Sequence, residues 1–159
     1  MRMSERLGPL IAFGRNARPR TAAVVVGELG ALIALVGSLL PWGTGGTADC
    51  YTRDHGLAML PLVVAAAGLL AVPYLKGAEG VPFRLAALGA VLCGVAVATF
   101  VSYDIVDVSH IPTNCIVDFP VEDIRGSPAL GAYLTQAGSI LLGLGALAAA
   151  ASRPRAAGL

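Results

Sequence analysis

The chain has 159 residues, 56% of them hydrophobic and only 13% charged, with 11 basic against 10 acidic side chains for a formal net charge of +1. An average soluble domain carries roughly 25% charged residues, and a core of this size cannot absorb so much apolar surface. A soluble globular domain is therefore excluded, and no nucleic-acid partner is expected.

Residues 1–20 form a basic arm in which Leu7, Leu10, Ile11 and Phe13 are interleaved with arginines. Two readings fit it: a short helix lying on anionic headgroups, or a disordered tail. Residues 21–41 are the first of four apolar blocks, each about 20 residues long, enough for a helix to cross the hydrocarbon. The block is longer than the roughly 7 to 15 residues of a secretory signal core, so it is expected to be retained. Asp49 stands where a lipoprotein cleavage box needs a small residue before Cys50.

Glu28 is the one ionisable residue well inside a predicted span. A carboxyl group there is costly and is a functional candidate by default. It is expected to lock helices together by hydrogen bonding, to reach toward Arg20, to couple to a proton or cation, or to contact another protein. The block closes at Pro41 and Trp42, the tryptophan being placed as an aromatic anchor at the outer interface.

An outer loop over residues 42–56, rich in glycine and threonine, leads to the second block, 57–75. The short turn from Lys76 to Pro82 makes the second and third blocks antiparallel neighbours. The third block spans 83–103. Residues 104–128 form a second outer loop where Ile105, Val106, Val108, Ile111, Ile116, Val117, Phe119, Val121 and Ile124 alternate with acids and prolines. That pattern predicts an ordered cap over the helix ends, a place for a partner or merely a lid. The fourth block is 129–151, and residues 152–159 are a short tail.

Lipid offers no partner to a backbone amide, so each block must be helical. The predicted fold class is all-α: an integral membrane four-helix bundle with an ordered extracytoplasmic cap. Arg2, Arg6, Arg15, Arg18, Arg20, Lys76, Arg84, Arg153 and Arg155 fall on one side of such a bundle, against Arg53 and Arg125 on the other. The positive-inside rule makes the first side, with both termini, cytoplasmic in a multi-pass protein of the cell membrane. Asp49, Asp54, Asp104, Asp107, Asp118, Glu122 and Asp123 then give an acidic outer face that repels polyanions.

Cys50 and Cys115 lie in the two outer loops and Cys93 inside the third block. Outside the cytoplasm thiols are generally oxidised, so a Cys50 to Cys115 disulfide is expected, worth on the order of 4 kcal/mol by loop closure. No close-spaced Cys-x-x-Cys suggests a redox-active pair. If the loops paired as antiparallel extended segments, His55 and His110 would face each other, and with Asp107 nearby a metal site is conceivable; two solvated histidines are the plainer reading. Small residues recur on the helices, with Gly30, Gly37, Gly89, Gly131 and Gly138 expected at close packing positions within the chain or on a self-association face.

Leu39, Leu40, Pro41, Trp42 and Gly43 at the end of the first block, with Gly131, Tyr133, Leu134 and Gly138 at the start of the fourth, resemble a loose group of small prokaryotic four-helix membrane proteins. In that group a Pro-Trp closes the first helix and a Gly-x-Tyr-Leu-x-x-x-Gly pattern opens the fourth. The resemblance implies topology and no activity. The small first and larger second outer loop is similar to the layout of tetraspanins, and the outer Trp42 followed by the loop Cys50 is similar to claudins, without the Cys-Cys-Gly of the former or the larger, two-cysteine first loop of the latter.

No nucleotide loop, nucleophile with a base, paired catalytic carboxylates or zinc spacing is present, so no cofactor is expected and an enzyme is disfavoured. The leading expectation is a structural or accessory membrane protein that binds another membrane protein or itself through its cap and glycine-lined helices. A small proton- or cation-coupled transporter or channel using Glu28 is the first alternative, and a subunit of a membrane enzyme acting on lipid or quinone the second.

Overall fold

In a computed structural model the protein is described over residues 19–44, 48–107 and 127–152, with the backbone alone for 44, 48–55 and 107. Its helices are α1 (Pro19–Leu39), α2 (Ala48–Leu75), α3 (Val81–Asp107) and α4 (Leu130–Ala151), joined by the two-residue strands β1 (Gly43–Thr44) and β2 (Ser127–Pro128). Four segments, Pro19–Leu39, Gly56–Leu75, Val81–Val106 and Leu130–Ala151, are long and apolar enough to cross a membrane. This is the arrangement of a multi-pass membrane protein. The basic arm over 1–18, most of the expected cap, Cys115, His110 and the last seven residues lie outside the described residues.

Each helix buries residues at alternating spacings of three and four. On α3 the buried set is Phe83, Ala87, Ala90, Gly94, Val97, Val101 and Asp104; on α2 it is Gly56, Met59, Val63, Ala66 and Leu70. A seven-residue repeat of this kind keeps one seam facing its neighbours and gives left-handed helix crossings. The helices form a ring in which α1 touches α2 and α4, and α3 touches α2 and α4, with the α1 and α4 contact the most extensive. Large apolar residues such as Leu29, Leu32, Leu92, Leu144 and Leu147 face outward, as lipid-facing positions should.

The seam between α1 and α4 is built from small residues. A Cβ on Gly138 would lie 2.6 Å from Gly30 O and would also strike the Ala34 amide; a Cβ on Gly145 would lie 2.6 Å from Gly27 Cα; one on Gly37 would lie 2.8 Å from Gly131 O. Backbone thus meets backbone at three successive levels. Apolar side chains gain little by leaving lipid for another helix, so this close approach carries much of the attraction. Gly89 sits elsewhere, where a Cβ would be 3.2 Å from Leu69 of α2. Gly68 faces open space.

Both ends of the bundle are tied. At one end the α2 to α3 turn is a Schellman motif: Ala78 N–H donates to Pro73 O at 2.8 Å and Gly77 N–H to Tyr74 O at 3.0 Å, with Gly77 at φ 68°. This left-handed conformation suits glycine and terminates α2 sharply. Arg20, expected at the edge of the arm, is inside α1 instead, because Pro19 supplies a favourable first helical residue. Its guanidinium lies 3.7 Å from the Phe83 ring centroid and donates to Ala78 O.

At the other end the chain leaving α1 pairs with the chain entering α4, Gly43 opposite Pro128 and Thr44 opposite Ser127. Ala129 N–H donates to Trp42 O at 2.7 Å and Gly131 N–H to Pro41 O at 3.1 Å, the latter satisfying an amide of the first turn of α4. Trp42 itself is 2% exposed. Its indole donates to Gly37 O at 3.1 Å, and its ring covers Gly56, whose absent side chain leaves room for it. The ring is turned into the bundle rather than out to headgroups, because the β1 and β2 pairing bends the chain back across the helix ends.

The helices run further than their apolar blocks. α2 begins at Ala48 rather than at residue 57, so Cys50, Asp54 and His55 lie on a helix and not in an open loop. Pro61 falls inside α2 and removes one backbone bond there. α3 continues to Asp107, which brings Asp104 into a span.

Candidate functional site

The residues with chemistry fall in three places. The first is Glu28. The Tyr74 hydroxyl donates to Thr21 Oγ1 at 2.9 Å, which fixes the register of α1 against α2. Seven residues further along each helix stand Glu28 and Ala67, at equivalent positions of the repeat. Ala67 has only a methyl group to present at that level. One oxygen of Glu28, Oε1, is covered and has no hydrogen-bond partner, while the residue as a whole is partly exposed.

Glu28 lies at the margin of the buried stripe. Val24 and Ala31, one turn away on either side, are buried, whereas Val25 and Leu32 are exposed to the outside. Arg20 does not serve as its counter-ion. That guanidinium is engaged by Ala78 O and Phe83 about two helical turns away.

The second place is a group of polar side chains in the half of the bundle nearer Trp42. Ser38 donates to Ala34 O at 2.9 Å, Ser102 to Ala98 O at 2.8 Å, Thr135 to Gly131 O at 2.9 Å and Ser139 to Thr135 O. Each hydroxyl spends its one proton on the carbonyl a turn before it, as buried serines and threonines on apolar helices do. Gln136 Nε2 reaches across to Ser102 Oγ at 2.8 Å and joins α4 to α3. Asp104 is buried at 6% exposure on the inner stripe of α3. Sequence reasoning placed it in a loop; its spacing from Gly94, Val97 and Val101 is the signal that it continues the stripe.

The third place is the helix extension carrying Cys50 and His55. Residues 48–55 are helical rather than extended. The side chains of Cys50, His55 and Asp107 and the whole of His110 and Cys115 lie outside the described residues. Among the described residues no group of three His, Cys, Asp or Glu gathers to hold a metal, and Cys93 is a free thiol within α3. No family model, no curated protein and no solved structure matches this chain.

Proposed function

We propose that the protein is a structural or accessory component of the membrane that associates laterally with another membrane protein. The observation that carries this reading is the state of its polar groups. The described interior hydroxyls are satisfied by their own helices, and Glu28, with one covered and orphaned oxygen, stands at the margin of the buried stripe. A chain that moved solutes would need oxygen ligands lining a path; here the small residues are used in the seam between α1 and α4. The expected cap would add to the partner surface, with the Trp42 end outward and both termini in the cytoplasm.

Photo-crosslinkers placed singly at Leu29, Leu92 and Leu144, on the outward faces of α1, α3 and α4, test the association in native membranes. A discrete protein adduct from at least one position is the expected result, and lipid adducts alone from all three would overturn the reading. A second experiment addresses transport. Proteoliposomes of the wild type should carry no pH-driven flux; a flux that Glu28→Gln abolishes in a folded protein would make the chain a transporter.

Orientation is tested by single cysteines at Ser4, Thr47 and Ser152 in a background without Cys50, Cys93 and Cys115. Position 47 is expected to react with an impermeant reagent in intact cells, and positions 4 and 152 only after the membrane is opened. The reverse pattern would invert the topology.

A further inference from the structure

We propose that the flank between α1 and α2 around Glu28 docks a single transmembrane helix of another protein, one that carries a lysine or arginine at the depth of Glu28. The proposal rests on the accessory reading above and names the partner's chemistry. Its starting point is the carboxyl oxygen that is covered, unpartnered and set among apolar neighbours. Such a group in lipid is carried as the neutral acid, or gains from a donor or a counter-charge.

Among the described residues the chain's own candidates fail in turn. Ala67, at the equivalent position of α2, has no polar atom. Thr21 is two turns away and receives the Tyr74 proton. Arg20 is held on Ala78 and Phe83. The other described bases, Lys76 and Arg84, lie at the Arg20 end of the bundle, so a second copy inserted in the same direction brings no base to the depth of Glu28. Lipid headgroups are also out of reach, since nine residues of helix place Glu28 about 14 Å from Pro19.

A metal or hydrated cation needs several oxygens together, and no such group gathers among the described residues. A foreign helix meets every requirement. Its base neutralises the acid, and its apolar surface lies against Val25, Leu29 and Leu32, which are exposed beside Glu28. Gly68 leaves open space on α2 one residue beyond Ala67. The small side chain of Ala67 leaves little bulk on the α2 side of this flank, and Gly68 keeps the lipid-facing side of α2 low.

The test uses the full chain in liposomes, with energy transfer to labelled leucine and alanine transmembrane peptides. One peptide carries a lysine at the depth of Glu28, a second has leucine there, and a third has the lysine two turns nearer the Trp42 end. The first is expected to associate about tenfold more strongly than the others, the scale of a polar contact between helices in lipid. Glu28→Gln should remove that preference.

Ala67→Asn should weaken the preference too, by giving the carboxyl a partner inside the bundle; it carries the test should the glutamine variant fail to pack. Equal binding of all three peptides by the wild type would overturn the proposal, as would a preference that survives both substitutions. Energy transfer between copies of the chain that depends on Glu28 without any peptide would give the flank to a second copy instead. Failure here with crosslinks persisting at Leu92 or Leu144 leaves the accessory reading standing on another face; failure with no protein crosslink anywhere ends both.

Discussion

Gly138→Leu is expected to separate α4 from α1 and to lower the stability of the folded bundle by about 3 kcal/mol or more, beyond most overpacking substitutions. The magnitude follows from what the new side chain meets. Its Cβ would already crowd the Ala34 amide and Gly30 O, which are backbone atoms that cannot rotate aside. The helices must move apart along the seam, and the contacts at Gly37 and Gly145 weaken with them. Gly68→Ala is the control, since a Cβ there meets nothing within 4 Å. It should be neutral or gain up to about 1 kcal/mol from helix propensity. Titration from mild detergent into SDS, followed by near-ultraviolet circular dichroism, reads both. An unchanged midpoint for Gly138→Leu would mean that the seam is not close-packed.

Trp42→Ala should cost about 3 kcal/mol, the usual loss for truncating a large buried aromatic residue. Trp42→Phe divides the cost. It keeps most of the ring contact with Gly56 and loses the bond to Gly37 O, so a loss of about 1 kcal/mol is expected. Because the chain has one tryptophan, the wild-type emission reports the site directly. It should be blue-shifted and resistant to an aqueous quencher. A red-shifted, readily quenched emission would instead put the indole among headgroups and argue against the packing described.

The spans were legible in the sequence because hydrophobic length is a one-dimensional property. The predicted first and last blocks, 21–41 and 129–151, differ from α1 and α4 by two residues or fewer at each end. The extension of α2 back to Ala48 was not legible, since the residues there carry no apolar run to mark it, while that of α3 to Asp107 was marked only by the spacing of Asp104 from Val97 and Val101. The orientation of Trp42 was hidden for a different reason. An aromatic residue after Pro41 at a membrane boundary has the same local signature whether it faces headgroups or folds inward; only the distant pairing of residues 43–44 with 127–128 decides. Glu28 stood out at once as an acid in an apolar run, but its lack of a partner depends on Ala67 of a neighbouring helix. No local pattern contains that.

The seam between the first and last helices also sets an order of events during synthesis. Ala34 and Thr135 are 101 residues apart in the chain, so at about 5 to 20 residues per second the ribosome needs about 5 to 20 s after making one to supply the other. Throughout that interval the glycine face of α1 has no α4 to cover it. The tightest contact of the finished protein is therefore the last to close. Until α4 arrives, the nascent chain presents a vacant small-residue surface that other helices in the bilayer can occupy.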